Sequence, residues 1–384
     1  MVKKIFKSIA WVVLIIFLLI NLTIVFSGKL WIYKALIYNY VNIDDLDLFH
    51  NRPVKAGKVQ PWPQHSKNGA VKLNQALINE LEKNETVEFV VIKNDSLIYE
   101  SYWDGYTANS ISNPFSASKS ITALAVGFAL DEGKIQSLDD KVNKYLPYFK
   151  EGQLANVTIR HLLWMSSGVD WDEQYASLLS PTTEAYYGSD LEGMMKKLKP
   201  LNQPGKIWNY KACDTQLLAH VVQQATGKKL ADYLSEKLWI PIGAEHDAQW
   251  SLDHYDGMEK ASCCCYATAR DLARIGLLML HHGNWKGTQI LSAAYVKESI
   301  TPAPLVDTDG NGNVPYGYQW WTISVGGVEA FYARGIGGQY IFVIPDHQLV
   351  MVRLGRKRGV PIANHAVSDI VVYLEEGIRT FKEL

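Results

Sequence analysis

The sequence is poor in cysteine. It has 4 cysteines in 384 residues, and Cys263, Cys264 and Cys265 are adjacent. Neighbouring side chains diverge on a strand or a helix, so this run cannot form the Cys-x-x-Cys corner of a zinc site. A chain of this length does not need disulfides to build a core, and we interpret the run as small apolar residues in a buried segment. Disulfides stay open as an alternative for a protein that faces an oxidising compartment.

An excess of charge of one sign is also missing. The 38 basic and 39 acidic residues leave a formal net charge of -1, which excludes the basic footprint of a nucleic-acid-binding protein. The hydrophobic share of 48% and the charged share of 20% are typical of an ordered globular protein. We therefore expect no nucleic-acid partner.

Several catalytic and metal-binding motifs are absent from the sequence. There is no His-Glu-x-x-His, no phosphate-binding Gly-rich loop after a strand, and no Gly-x-Ser-x-Gly. His281 and His282 have no companion ligands at metal spacing. The sequence thus predicts neither a metal site nor a cofactor.

One long apolar run is present, from Ile9 to Phe26. Its length approaches the roughly 20 residues that cross a bilayer as a helix. Lys3, Lys4 and Lys7 precede it, and the positive-inside rule then keeps the N-terminus in the cytoplasm. A cleaved signal peptide is the alternative, with a poor cleavage site at 25–27, but the run exceeds the roughly 7–15 apolar residues of a signal core. We predict a single-pass anchor in the cell membrane, with the rest of the chain on the extracytoplasmic side.

The remaining chain divides into a connector and one large domain. We predict an anchor over residues 1–28, a juxtamembrane connector over 29–70, and a hydrolase domain over 71–384 with a helical subdomain at about 135–310. Strand patterns occur at 87–105 and again in the last third, with helical patterns between them. This order indicates an α+β fold, in which early and late strands share one antiparallel sheet flanked by helices.

Ser116 and Lys119 form the one Ser-x-x-Lys pattern of the chain. Residues three apart share a helix face, so the lysine amine reaches the serine hydroxyl within one turn. The apolar run that follows, up to Gly133, predicts a buried helix whose free N–H groups stabilise a developing negative charge. A serine nucleophile needs an adjacent base, which the lysine supplies. The alternative is that Ser116 caps the helix and Lys119 is solvated.

Five segments in order resemble one family. They are FSASKS, LLWMSSGVDWDEQY, the stretch from PGKIWNYKACDTQ to PIGAE, ATARDLARIGLLMLHHGNWKG, and ARGIGGQYIFVIP. Over residues 85–384 the chain resembles the serine β-lactamase and penicillin-binding-protein superfamily. Within it, the chain is most similar to the class C-like branch of esterases and 6-aminohexanoate-dimer hydrolases. The resemblance implies a β-lactamase/DD-peptidase-like fold.

The resemblance also implies catalytic roles. It assigns the nucleophile to Ser116 and its base to Lys119, in the first family motif. The second motif, Tyr-x-Asn, corresponds to residues 210–212, where Tyr210 keeps the place of the tyrosine that transfers protons. Ala212 replaces the Asn, which puts the amide contact of the family's β-lactamases in doubt.

The third family motif, Lys-Thr-Gly or His-Thr-Gly, corresponds to residues 333–335, so the Lys or His is missing. Gly335 remains, and the backbone N–H groups of Ile336 and Ser116 are the expected oxyanion donors. Arg334 is the candidate for binding an anionic group of the substrate. Tyr175 resembles a tyrosine that borders the substrate of the oligoamide hydrolases, and a surface loop aromatic is its alternative.

These assignments predict an exported serine hydrolase that cleaves an ester or linear amide bond through an acyl-enzyme. The expected substrate is a small-molecule ester or amide, or a short peptide, and the membrane is contacted through the N-terminal helix. A D-alanyl-D-alanine peptidase or a β-lactamase is the first alternative. An inactive homologue that acts as an envelope binding module is the second.

Overall fold

The computed structural model describes residues 2–312 and 314–384. The helices are α1 (Val2–Phe26), α2 (Trp31–Tyr38), α3 (Gln75–Lys83), α4 (Ser118–Asp131), α5 (Ile159–Leu163), α6 (Pro181–Tyr187), α7 (Leu191–Lys196), α8 (Ala212–Thr226), α9 (Leu230–Leu234), α10 (Ala269–Leu280), α11 (Ala293–Ser299) and α12 (Ser368–Phe381). The strands are β1 (Asn51–Val54), β2 (Thr86–Lys93), β3 (Ser96–Tyr102), β4 (Ala248–Ser251), β5 (Cys265–Tyr266), β6 (Asn284–Trp285), β7 (Thr288–Gln289), β8 (Trp321–Val325), β9 (Val328–Gly335), β10 (Gln339–Ile344) and β11 (Leu349–Gly355).

The main sheet joins the early and late strands. Its six antiparallel strands run in the order β3-β2-β11-β10-β9-β8. Asn94 and Asp95 form the β2–β3 turn, both with positive φ, as expected for a tight hairpin. The α+β prediction is confirmed, including the antiparallel sheet with helices between its two parts.

Alternation along the central strands builds a core on each face of the sheet. Phe89 and Val91 of β2 belong to one apolar cluster, which includes residues of α3 and α12. Val90 and Ile92 point the other way and belong to the cluster that contains α4, α8 and α10. The second cluster places α4, which begins two residues after Ser116, against the sheet.

Two helices are shorter than their sequence patterns predict. The pattern over 157–168 predicts a helix that ends at Gly168, and the last pattern predicts a helix from about residue 362 to 382. The helix that begins after the Thr158 cap ends at Leu163 rather than at Gly168, since Met165 has a φ of 53° and cannot continue it. The last helix begins at Ser368 rather than near residue 362, because Asn364 and His365 also have positive φ. In both places the helix is shorter than predicted, and the residues outside it form a loop near the candidate site.

The N-terminal helices are joined to the rest of the chain. Helix α1 is long and apolar enough to cross a membrane, and Ile24 is its one buried residue among those the structure describes. The hydroxyl of Tyr33 on α2 donates to Oδ1 of Asn21 on α1 at 2.7 Å. On its other side, α2 packs against α6. Helix α2 therefore links α1 to α6.

Glu88 on β2 makes the stability of the fold depend on pH. Its side chain is fully buried, and it accepts a hydrogen bond from Ser112 Oγ at 2.7 Å. Burial raises the pKa of Glu88 from 4.5 to about 8. Between those values the folded chain holds a proton that the unfolded chain has lost, so the free energy of unfolding falls as the pH rises toward 8.

We predict that Glu88→Gln removes this dependence. The wild-type protein should lose on the order of 3 kcal/mol relative to the variant between about pH 5 and about pH 9, measured by chemical unfolding. The exposed Glu82→Gln serves as the control and should follow the wild type at every pH. Parallel stability curves for Glu88→Gln and wild type would contradict a proton held at this position.

Candidate active site

The turn that precedes α4 presents Ser116 at the surface of the core. Phe115 has a φ of 45°, a left-handed conformation that costs about 1–3 kcal/mol in a residue with a side chain. Asn113 Oδ1 holds this turn by accepting the N–H of Phe115 at 2.9 Å. Phe115 and Ala117 are buried while Ser116 is half-buried. The hydroxyl of Ser116 is thus accessible on an otherwise buried turn.

Lys119 lies one helical turn from Ser116, as its spacing predicts. Its Nζ donates to Ser116 Oγ at 3.0 Å and to the carbonyl of Ser262 at 2.9 Å. The residue is 2% exposed, and no carboxylate forms an ion pair with it among the described residues. The amine is thus held beside the serine hydroxyl by hydrogen bonds to oxygen atoms that carry no formal charge. The alternative of a solvated lysine does not fit this position.

Residues 261–265, here called the strap, run along α4 and hold its first turns. Thr122 Oγ1 donates to the carbonyl of Ala261 at 2.9 Å. The N–H of Cys265 donates to Ser118 Oγ at 3.2 Å. Together with the bond from Lys119 Nζ to Ser262, three side chains of α4 are bound to backbone groups of the strap. The strap therefore holds both the helix that carries Lys119 and the Nζ atom at the end of its side chain.

The cysteine run lies in the strap and differs from the sequence interpretation. Cys263 and Cys264 form a disulfide, while Cys265 and Cys213 are free and buried. The preferred interpretation, small apolar residues in a buried segment, therefore does not describe Cys263 and Cys264, for which the alternative of a disulfide holds. Cys264 has a φ of 72°, and this left-handed conformation departs from the helix and strand geometry in which neighbouring side chains diverge.

Tyr210 lies just before α8 and lines a cavity together with Ser116. Its ring stacks on Trp321, with centroids 5.8 Å apart. Lys119 Nζ lies 5.0 Å from the centroid of the Tyr210 ring. The structure therefore brings the three residues assigned to catalysis by resemblance to one place.

The end of β9 lies against the turn before α4. A Cβ atom on Gly335 would lie 2.2 Å from the carbonyl oxygen of Pro114, so no other residue fits without movement. Ile336 follows, and its N–H has no hydrogen-bond acceptor among the described residues. Ile336 and Ser116 line the same cavities. This geometry suits the two backbone donors expected for an oxyanion.

Side chains behind Ile336 hold its turn in place. Gln339 Nε2 donates to the carbonyl of Ile336 at 3.0 Å. The fully buried Arg353 donates to the carbonyls of Gly337 and Gly338 at 3.0 and 2.7 Å. Arg353 therefore fixes the backbone of this turn, a role that no sequence motif predicted.

Two contacts fix the orientation of the Arg334 side chain. Its guanidinium lies over the Trp321 ring, 3.9 Å from the centroid, and Nη1 donates to the carbonyl of His365 at 2.6 Å. Arg334 also lines the cavity that contains Tyr210 and Ser116. Arg358 lines both cavities, is exposed, and forms no ion pair within the described residues.

Tyr175 is 50% exposed, but its hydroxyl end faces Ser116. That hydroxyl donates to Glu173 Oε1 at 2.8 Å. Burial of the hydroxyl, followed by the nearby charge of Glu173, raises the pKa of Tyr175 well above its usual value, while a hydrogen bond with Ser116 lowers it. Tyr175 therefore stays protonated at neutral pH.

Glu173 contacts Ala212, which stands at the position of the Asn in the second family motif. Its role was not predicted from the sequence. Its Oε2 accepts the N–H of Ala212 at 2.7 Å and Trp171 Nε1 at 2.8 Å. The carboxylate thus lies at the N-terminus of α8, where the helix dipole favours negative charge. An acidic residue two positions before Tyr175 was the available signal.

Two cavities meet at Ser116. One of 1170 Å³ contains Lys119 and extends to α2, and its lining is mostly apolar. The other, of 740 Å³, contains Tyr210 and Arg334 and is more polar. Glu173, Tyr175 and Ile336 line both. The arrangement supports attack on a carbonyl group whose two substituents enter different cavities.

The comparisons with known proteins show the family to which the chain belongs. The family model named Beta-lactamase matches residues 74–366, so the chain belongs to the β-lactamase family. A 6-aminohexanoate-dimer hydrolase of Paenarthrobacter ureafaciens is 27% identical over 298 residues, which cover 71% of this chain and 73% of that protein. The resemblance seen in the sequence is confirmed, and the chain is a serine hydrolase of this family.

Solved structures share the fold. A Bacillus anthracis protein whose name links it to the same hydrolase superposes with a TM-score of 0.75 at 24% identity, covering 88% of this chain and 92% of that one. A family VIII carboxylesterase superposes with a TM-score of 0.65 at 19% identity, covering 84% and 100%. At these identities the superpositions establish the β-lactamase-like fold.

We predict that Gly335→Ala damages both stability and activity. The added methyl group meets the Pro114 carbonyl, so β9 and the turn must separate, at a cost of about 1–3 kcal/mol. Chemical unfolding and ester turnover measure the two effects. Gly312→Ala is the matched control for the unfolding measurement, since no atom of the described residues lies within 4 Å of its Cβ position. Equal behaviour of the two variants would show that the contact is unimportant.

Thiol titration tests the cysteine assignment. In denaturant without reductant, two thiols per chain should react, from Cys213 and Cys265. After reduction all 4 cysteines should react. Cys213→Ala should lower both counts by one, which calibrates the assay. Four reactive thiols before reduction would show that the strap carries no disulfide.

Proposed function

We propose that this chain cleaves an ester or linear amide bond through an acyl-enzyme on Ser116, on the extracytoplasmic side of a membrane. The observation that carries the proposal is the 3.0 Å contact between Lys119 Nζ and Ser116 Oγ on an accessible turn. A nucleophile and its base at hydrogen-bonding distance are the minimum for covalent catalysis by serine.

In the proposed mechanism Ser116 Oγ attacks the substrate carbonyl and its proton passes to the Lys119/Tyr210 pair. The N–H groups of Ser116 and Ile336 stabilise the oxyanion. Tyr210 protonates the leaving alcohol or amine. Water then enters and releases the acid, with the same pair accepting its proton.

An open-chain ester or amide is favoured over a β-lactam as the substrate. Ala212 offers no side-chain amide to a substrate, and Glu173 already accepts its N–H. The Lys or His of the third motif is also missing, and Arg334 holds Trp321 and the His365 carbonyl. The groups that recognise β-lactams in the family thus have no direct equivalents.

The location outside the cytoplasm rests on α1. The helix has a mean hydropathy of 2.9 over its 18-residue window, and nearly all of its side chains are exposed. A helix that exposes apolar side chains on every face is unstable in water but suited to a bilayer. With Lys3, Lys4 and Lys7 before it, we propose an uncleaved anchor that exports the domain.

A fluorophosphonate probe tests the nucleophile. The wild-type full chain should be labelled and Ser116→Ala should not. Tyr210→Phe should keep the fold but lower the kcat/KM for p-nitrophenyl esters by about 10²–10⁴-fold, because the proton-transferring group is lost. Ser110→Ala, at a half-buried position in the loop before the site, is the control and should match the wild type.

The rival functions predict other results. Rapid labelling by a fluorescent penicillin without ester turnover would favour a D-alanyl-D-alanine peptidase, and fast nitrocefin hydrolysis a β-lactamase. The absence of labelling by any probe would favour an inactive binding homologue and would sink the proposal.

A further inference from the structure

The larger cavity beside Ser116 reaches well beyond the space that a short substrate needs. It extends from Ser116 past Leu178 and Tyr187 to Leu36 on α2. Its volume of 1170 Å³ exceeds the roughly 300–1,000 Å³ of ordinary small-molecule pockets. A short ester or amide would fill only the part nearest Ser116, which leaves an apolar extension unexplained by the proposed reaction.

The far end of this cavity is fixed beside the candidate membrane helix. Tyr33 of α2 donates to Asn21 of α1 at 2.7 Å. Tyr38 of α2 stacks on Tyr187 of α6, with centroids 6.4 Å apart and planes at 11°. Helix α2 is therefore bound on one side to α1 and on the other to the cavity wall. When α1 crosses a bilayer, α2 and the part of the cavity that it lines are held next to the bilayer.

Apolar side chains surround the opening although they face solvent. Leu36, Tyr40, Leu178 and Val360 line the cavity and are 54%, 63%, 41% and 68% exposed. They come from three separate segments of the chain. An exposed apolar cluster of this kind marks a contact with a membrane or a partner, and its position next to α1 selects the membrane.

We propose that the substrate is a membrane amphiphile with an ester-linked long acyl chain, which enters from the bilayer and lies in the cavity between Ser116 and α2. This inference rests on the proposed hydrolase function and specifies its substrate class. The bond from Ser116 Oγ to the acyl carbon forms as the ester C–O bond breaks, and the serine proton leaves with the alcohol. Water then releases the fatty acid.

Two fluorophosphonates that differ only in their alkyl group, ethyl or decyl, test the cavity. With the full chain in vesicles of an ether-linked phosphatidylcholine, which has no ester for the protein to cleave, the decyl probe should label Ser116 roughly tenfold faster or more, because each buried methylene favours binding. Leu36→Asn and Leu178→Asn should lower the decyl-to-ethyl ratio of labelling rates. Partitioning of the decyl probe into the vesicles is the same for all variants, so a change in this ratio reports the cavity.

Leu201→Asn is the matched control. Leu201 is also an apolar residue, 60% exposed, but it lines neither cavity, and its variant should keep the wild-type ratio. A ratio near one in the wild type, or the same ratio in all variants, would overturn the acyl-chain inference while the hydrolase function stands. A chain that neither probe labels would overturn both.

A second measurement tests whether the protein takes its ester substrate from the bilayer or from solution. The full chain should release fatty acid from an acyl ester embedded in its own vesicles, and Ser116→Ala should not. Cleavage of the same ester only as a dissolved monomer, with the vesicle ester intact, would overturn the bilayer as the source.

Discussion

The close contact between Gly335 and the carbonyl of Pro114 determines the geometry of the site. It brings the edge of the sheet against the turn that carries Ser116, with no room for a Cβ atom. Ile336 then presents its N–H beside the serine, and Arg353 fixes the following turn through its carbonyls. The proposed oxyanion donors depend on this approach of two backbones and not on the side chains of the third motif, which would explain how that motif can vary.

Helix α4 is restrained on its other side by the strap, through hydrogen bonds to backbone groups. The carbonyl of Ser262 binds Lys119, and the carbonyl of Ala261 binds Thr122. The disulfide between Cys263 and Cys264 lies within the same five residues. Since the lysine donates to the strap as well as to Ser116, the position of the proposed base depends on a segment more than 140 residues away in sequence.

The sequence could predict what is local and what the family resemblance carries. The Ser116–Lys119 contact follows from helical spacing, and the antiparallel sheet follows from alternation in short strands. The roles of Glu173, the Ser262 carbonyl and Arg353 could not be found in this way, because each contact joins a side chain to a backbone group of another segment. The Cys263–Cys264 pair was missed because it needs a left-handed residue, which a helix or strand pattern does not foresee. Domain limits remain predictions.

The two cavities at Ser116 differ in polarity, since one is mostly apolar and the other is more polar. This difference suits a site in which Ala212 and Arg334 stand at the positions of the family's recognition residues. On the side of Tyr210, Arg334 and Asp307 line a polar cavity suited to a hydrated leaving group. On the side of Lys119, the apolar cavity runs toward α2. A carbonyl at Ser116 would thus have its acyl part in the apolar cavity and its alcohol in the polar one. An amphiphile has this division already, so its binding would orient the bond for attack, and the recognition groups lost at Ala212 and Arg334 would not be needed.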